Sequence, residues 1–196
     1  MSRFRLVVLG LVAALLAGAG CVPEAPPEIP VVTSTPTPTV TLIDLKSLLV
    51  PRRDVAVVSG PEYGDSRDIA EMIAEGSDVD ETAEFLDRYG FVRGVHQWWL
   101  KNGVDRYVML LQFTDEENAE RYLRRLARSI GPVPGTLADI PGSRTFRDAE
   151  GTFFGVFYRV GVIVVDIRVF SRTPSTYEEV VGDLPQRQYE RLADYA

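Results

Sequence analysis

The side chains that most often carry reactions are scarce in this chain. Its 196 residues include one histidine, His96, and one cysteine, Cys21. A catalytic triad or an acid–base histidine would have to use His96, yet no Gly-x-Ser-x-Gly motif accompanies it and two tryptophans follow it closely. One histidine and one cysteine are also too few nitrogen and sulfur ligands for a structural zinc site. We therefore expect His96 to be a structural or a surface residue, and we predict neither a bound metal nor a cofactor.

A polar pair interrupts the most apolar segment of the chain, VIVVDIRVF. Because side chains alternate between the two faces of a strand, Asp166 and Arg168 share one face and the aliphatic residues form the other. Arg159, in the other arm of a predicted hairpin, is expected across from this pair. Two interpretations stay open: a polar patch on the open face of a sheet that holds a ligand, or a cross-strand salt bridge that faces solvent.

Two adjacent tryptophans, Trp98 and Trp99, must point to opposite faces of another predicted strand. An exposed indole near Tyr107 or Tyr158 would suit stacking on a sugar or a peptide. Core packing of both indoles is the other interpretation. The predicted binding residues are Trp98, Tyr107, Arg159, Asp166 and Arg168.

Abundant acidic residues support an alternative, enzymatic hypothesis. The two carboxylates of a glycoside hydrolase can lie far apart in sequence, so spacing does not reveal such a pair. Asp166 is the one acidic residue that its apolar surroundings mark as buried. The acidic run GSDVDE lacks the ligand spacing of a calcium loop and is interpreted as a helix-capping turn. The alternative function is therefore a carboxylate-dependent cell-wall hydrolase.

The elements that position these residues follow from the hydrophobic period and from turn and cap residues. Lys101-Asn102-Gly103 is typical of a hairpin turn between two strands. TDEENAERYLRRLARSIG has the clearest helical stripe, with a capping box at Thr114 and Glu117. The order helix, two strands, helix, three strands, helix predicts an α+β fold. We expect an antiparallel sheet of about five strands with helices packed mainly on one face.

The first forty residues predict export. Arg3 and Arg5 precede an apolar run from Leu6 to Ala17 and then small residues, which is the order of a signal peptide, here residues 1–20. At about 1.5 Å per residue the run is too short to cross about 30 Å of hydrocarbon. Residues 21–40 are rich in proline and threonine and predict a disordered, extended tether. One globular domain is predicted over residues 41–196.

Charge limits the partners of that domain. Removing the signal peptide lowers the Lys and Arg count from 21 to 19 against 28 Asp and Glu, so the formal charge changes from −7 to −9. An acidic domain offers no broad basic face to a phosphate backbone. We predict no nucleic-acid partner.

The segment Gly18-Ala19-Gly20-Cys21 resembles the lipobox of bacterial lipoproteins, whose cysteine is lipidated at sulfur and becomes the new N-terminus. The resemblance implies lipidation of Cys21 and anchoring to the outer face of the cell membrane. That motif usually has leucine or another aliphatic residue where this chain has Gly18. Ala17-Gly18-Ala19 also matches an ordinary cleavage site, and cleavage after Ala19 would release a secreted protein.

Beyond the tether, the segments FLDRYGFVRGVHQWW, YVMLLQFTDEENAERYLRRL and IPGSRTF are similar to those of a broad group of bacterial, often actinobacterial, lipoproteins with sensor-like α+β extracellular domains. That group supplies no catalytic motif. The tether, the acidic charge and the missing reactive constellation predict an exported, lipid-anchored, non-enzymatic binding or interaction domain of the cell envelope. Its expected partners are the membrane, through the lipid, and an envelope glycan, a small ligand or a protein.

Overall fold

A computed structural model of the chain describes residues 40–51, 56–74, 78–129 and 135–195. The predicted signal peptide, Cys21 and nearly all of the tether lie outside these residues. The strands are β1 (Ala56–Gly64), β2 (Phe91–Lys101), β3 (Val104–Phe113), β4 (Arg144–Arg147), β5 (Phe153–Val160) and β6 (Ile163–Ser171). The helices are α1 (Leu45–Leu48), α2 (Ser66–Ile73), α3 (Val79–Arg88), α4 (Glu116–Ser129), α5 (Tyr177–Val180) and α6 (Leu184–Ala193).

The strands form one antiparallel sheet in the order β1-β2-β3-β6-β5-β4, which confirms the predicted α+β class. The sheet has six strands rather than about five, and the additional strand is β1. Its sequence contains Gly60 and Pro61, which break the alternating pattern of a strand. Proline is tolerated at the edge of a sheet, where β1 lies, and the pairing of β1 with β2 contains two register shifts.

The turn between β2 and β3 sets the register of the central strands. Asn102 and Gly103 have φ values of 55° and 74°, as a two-residue hairpin turn of the predicted kind requires. The turn pairs Trp98 with Tyr107, and the next strand pairs Tyr107 with Arg168. Three of the predicted binding residues therefore lie side by side across three strands.

Helices cover both faces of the sheet. We call the face that packs against α2, α3 and α4 the α4 face, and the face that packs against α1, α5 and α6 the α6 face. The expectation of helices mainly on one face accounts for α2–α4 but not for the second layer. There, α1 and α5 are four residues each, too short to show a helical period in the sequence. No helix of the described ranges is long and apolar enough to span a bilayer.

Each face has its own apolar core, as expected of a sheet with helices on both sides. The core of the α4 face is built from Ile69, Leu86, Met109, Leu111, Phe113, Ala119, Tyr122, Leu123, Leu126, Phe157 and Val164. The core of the α6 face includes Leu45, Val108, Leu110, Val165, Ile167, Val180, Leu184 and Leu192. The continuous apolar side of β6 that the sequence predicted belongs to this second core.

Buried glutamines hold the segment before β1 against the rest of the domain. The Gln112 side chain accepts a hydrogen bond from Ile43 N and donates one to Thr41 O, at 3.1 and 2.7 Å. Gln188, on α6, accepts from Val50 N at 3.0 Å and donates to Leu48 O at 2.8 Å. Extended backbone can therefore be buried here without losing its hydrogen bonds.

Candidate binding cleft

Five aromatic side chains form a continuous row across the α4 face. We call this row the aromatic band; it consists of Trp98, Tyr107, Phe170, Phe153 and Phe146, from β2, β3, β6, β5 and β4 in turn. Successive ring centroids are 5.9, 5.7, 4.6 and 5.3 Å apart. All five side chains are partly exposed. Since strand neighbours supply each ring, the sheet itself fixes the row.

The band lies outside both cores because α2 packs against the other end of β2. A Cβ atom on Gly94 would lie 2.7 Å from Ile69 Cδ1, so only glycine lets α2 approach this closely. Trp98 lies four residues further along β2, beyond this contact. Trp98, Tyr107, Phe153 and Phe170 belong to neither apolar core, and only Phe146 packs against one. The sheet thus keeps a partly exposed aromatic surface next to a helix-covered one.

A cavity of about 290 Å³ opens beside the aromatic band, and we call it the cleft. Its lining consists of Met72, Tyr107, Met109, Arg168 and Phe170. Met109 is 1% exposed and belongs to the apolar core beneath. A cavity of this size, mostly apolar with one charged group, suits a small ligand or one unit of a larger one.

The charged group of the cleft is Arg168, which a buried carboxylate holds in place. Its Nε and Nη2 atoms donate to the two carboxylate oxygens of Asp166 at 3.1 and 3.0 Å, and its Nη1 donates to Ile73 O at 3.2 Å. The Asp166 side chain is fully buried, whereas that of Arg168 is 12% exposed. The pair is therefore a buried, bidentate ion pair, not the solvent-facing salt bridge or open polar patch considered from the sequence.

Burial dominates the protonation chemistry of this pair. Burial raises the pKa of the Asp166 carboxyl, and the charge and hydrogen bonds of Arg168 oppose that rise. The pKa of Tyr122 is also raised, first by burial and then by the charge of Asp166. An ionised Asp166 thus depends on Arg168, and the ionised pair presents no net charge to the cleft.

The structure brings together four of the five predicted binding residues and separates the fifth. Trp98 and Tyr107 lie in the aromatic band, Arg168 lines the cleft, and Asp166 lies beneath Arg168. Arg159 is paired in register with Val164, nearer the other end of β6, and contacts α4 instead. The indole N–H of Trp98 donates to Asp105 at 3.1 Å, which fixes the plane of its ring.

Sequence reasoning missed four contributors to this surface: Phe146, Phe153, Phe170 and Met72. The alternation of side chains along a strand could have identified one of them, because Phe170 lies two residues after Arg168 and therefore on the same face. Phe153 pairs with Phe170 in register, and Phe146 pairs with Gly155. Met72 could not be found this way, because it comes from a helix whose position on the sheet depends on tertiary packing.

The cleft and the buried Asp166 give no support to the hydrolase alternative. That mechanism needs two carboxyl groups facing one cleft, with the pKa of one raised. Asp166 has a raised pKa but no exposed surface, and the cleft has no Asp or Glu among its lining residues. Nor do three His, Cys, Asp or Glu side chains in these ranges come together as metal ligands would.

Comparison with known proteins adds one weak structural likeness. No protein-family model matches the chain, and no curated protein matches it. Among solved structures, the extracellular domain of PknH from Mycobacterium tuberculosis aligns with a TM-score of 0.44 and 11% identity, over 69% of this chain and 79% of that one. A likeness of this size does not show a shared function.

Proposed function

We propose that this chain is an exported, lipid-anchored, non-enzymatic binding domain of the cell envelope that holds a small ligand in the cleft. The observation that carries the proposal is the aromatic band, whose rings stay partly exposed beside a cavity with a fixed guanidinium. An exposed aromatic surface costs solubility, so its retention on an exported acidic domain favours a binding role.

The ligand that fits this chemistry presents an apolar ring face, as the sugar units of an envelope glycan do. Aromatic side chains supply large contact areas and stack on such faces. Trp98 and Tyr107 stack on each other, with 17° between their ring planes, and this contact holds both rings in place beside the cleft. The cleft beside them has room for one such unit and its substituents.

The location and the anchor in this proposal are supported by the sequence. The signal peptide at residues 1–20, the lipobox-like segment that ends at Cys21 and the proline-rich tether together favour attachment to the outer face of the membrane. A domain on such a tether can reach polymers at some distance from the bilayer. The residues of the cleft all lie within the tethered domain.

The two tryptophans provide the test, because they lie on opposite faces of one strand. In a Trp99→Phe variant, Trp98 is the only tryptophan, and its fluorescence reports on the cleft. In a Trp98→Phe variant, only Trp99 remains, 7% exposed in the core of the α6 face. We expect titration with N-acetylglucosamine oligomers and soluble peptidoglycan fragments to change the emission of Trp98 saturably and to leave that of Trp99 unchanged.

Loss of a second ring provides the control on affinity. In the Trp99→Phe background, Tyr107→Ala is expected to weaken binding about fivefold, which corresponds to about 1 kcal/mol of lost stacking. Tyr195→Ala, which removes an exposed tyrosine outside the cleft, is expected to leave the affinity unchanged. Equal changes in both single-tryptophan variants, or no saturable change in either, would contradict the proposal.

A further inference from the structure

A second cavity, of about 280 Å³, lies on the same side of the sheet as α4 but away from the cleft, and arginines dominate its lining. Arg124 and Arg128 come from α4, Arg144 from β4 and Arg159 from β5. We call this cavity the arginine pocket. It shares no lining residue with the cleft, so a ligand bound in the arginine pocket is independent of the proposed function of the cleft.

The arginine pocket has more positive charges than nearby negative charges to balance them. Glu120 is the one acidic residue in its lining, and its two oxygens already contact Arg159 Nε at 3.3 Å and Arg124 Nε at 3.4 Å. Glu116, outside the lining, contacts Arg159 Nη1 at 3.1 Å. Four guanidinium groups thus face two carboxylates, which leaves a local excess of two positive charges in a chain whose formal charge is −7.

Two of these guanidinium groups are held in position by the fold. Arg159 is fixed by its two glutamates and by Gly161 O, which accepts from Nη1 at 2.9 Å. Arg144 donates from Nη1 to Gly142 O and Ser143 O at 3.3 and 3.0 Å. The turn that places those carbonyls needs the left-handed conformation of Gly142, whose φ is 69°.

The other two arginines lie one turn apart on the last half of α4, and like charges at this spacing repel each other. Arg128 makes no hydrogen bond or ion pair with any residue in the part of the chain that the structure describes. Its side chain is exposed and lines the pocket. An anion in the pocket would remove the repulsion and bring the guanidinium groups together.

We propose that the arginine pocket binds a phosphate group. Guanidinium forks bind phosphate oxygens with paired, charge-assisted hydrogen bonds. A phosphomonoester carries a charge of about −1.5 to −2 at neutral pH, which matches the local excess, whereas a carboxylate carries less. The phosphomonoester can belong to a soluble phosphate compound or to a lipid head group that ends in one, as in phosphatidic acid, and the two sources share this chemistry.

Calorimetric titration of the domain with inorganic pyrophosphate is the first arm of the test. Saturable binding at one site is expected at physiological ionic strength. Arg128→Ala together with Arg144→Ala is expected to weaken that binding at least about tenfold, because two charge-assisted contacts are lost. Arg172→Ala removes the same charge outside the pocket and is expected to leave the affinity unchanged.

Vesicle flotation is the second arm and separates the two sources. Binding to vesicles of phosphatidic acid and phosphatidylcholine, absent with phosphatidylcholine alone and lost in the double variant, would assign the site to a lipid head group. Pyrophosphate binding without vesicle binding would assign it to a soluble phosphate. Binding of neither, or binding that the double variant retains in full, would overturn the proposal.

Two controls keep these results interpretable. The thermal midpoint of the double variant checks folding, and Arg128→Gln alone is the substitute if that variant unfolds, because Arg128 has no described partner to lose. Glycan titration followed by Trp98 fluorescence, in the double variant with Trp99→Phe added, measures binding at the cleft separately from binding at the arginine pocket. We expect this variant to lose pyrophosphate binding and to keep the glycan titration of Trp98 unchanged. A negative result at one site therefore leaves the proposal for the other site standing.

Discussion

Replacement of Arg168 by methionine tests how strongly the cleft depends on its buried ion pair. The change leaves the Asp166 carboxylate, which has no exposed surface, without its counter-ion, and it removes the donor to Ile73 O. Loss of one partner of a buried pair costs about 3–5 kcal/mol, and a carbonyl left without a donor adds about 1 kcal/mol. Such a sum is a large part of the free energy of unfolding of a domain, which is about 5–15 kcal/mol.

The cost should depend on pH, and its sign follows from the pKa of Asp166. Burial already raises that pKa, and removal of Arg168 removes the influence that opposes the rise. A carboxyl whose folded pKa exceeds its unfolded value binds its proton more tightly in the folded state, so the variant regains stability as pH falls from the folded pKa toward the unfolded one. Each pH unit inside that window returns up to about 1.4 kcal/mol.

Urea unfolding followed by circular dichroism at about pH 8 and about pH 5 measures this difference. Asp166→Asn in the Arg168→Met background should recover about 2 kcal/mol or more at the higher pH and remove the pH dependence, since no buried charge remains. Arg67→Met is the matched control, because it breaks an ion pair with Asp80 that is 63% and 70% exposed and so should cost far less. The reasoning is refuted if Arg168→Met costs the same at both pH values and Asp166→Asn does not rescue it.

Three further outcomes are expected from substitutions elsewhere in the chain. Gly94→Ala should lower the free energy of unfolding by about 1–3 kcal/mol, measured by urea unfolding, because the added methyl group would lie 2.7 Å from Ile69 Cδ1. Gln188→Met should cost about 1–3 kcal/mol in the same assay, because Val50 N loses its buried acceptor. Cys21→Ser should move the protein from the membrane fraction to the soluble fraction, and its intact mass should show no acyl chains. An unchanged distribution between the fractions would contradict lipid anchoring.

The features that could be predicted from the sequence are those set by neighbouring residues. The hairpin at Asn102-Gly103 and the helix of α4 depend on turn chemistry and on a periodic stripe, and both are confirmed. The cap of α4 differs from the predicted capping box at Thr114 and Glu117 by one residue: α4 begins at Glu116, and the Asp115 carboxylate accepts from Asn118 N at 2.8 Å. Several adjacent polar residues can each cap a helix, and packing of the helix decides which one does.

The features that could not be predicted depend on contacts between distant parts of the chain. Alternation correctly places Asp166 and Arg168 on one face, but the α2 carbonyl that Arg168 donates to, Ile73 O, lies 95 residues away in the sequence. The hairpin pattern predicts Arg159 near the pair because it occupies the other arm of the same hairpin. The register instead places it opposite Val164, within reach of α4, which the hairpin pattern alone does not reveal.

The most direct test of the binding cleft is nuclear magnetic resonance of the two indole N–H groups during titration with a soluble peptidoglycan fragment. The Trp98 N–H, which donates to Asp105 beside the aromatic band, is expected to shift progressively to saturation. The Trp99 N–H, on the opposite face of the same strand, is expected to stay in place. A shift of Trp99 alone, or no shift of either signal under saturating fragment, would contradict the assignment of the cleft as the binding site.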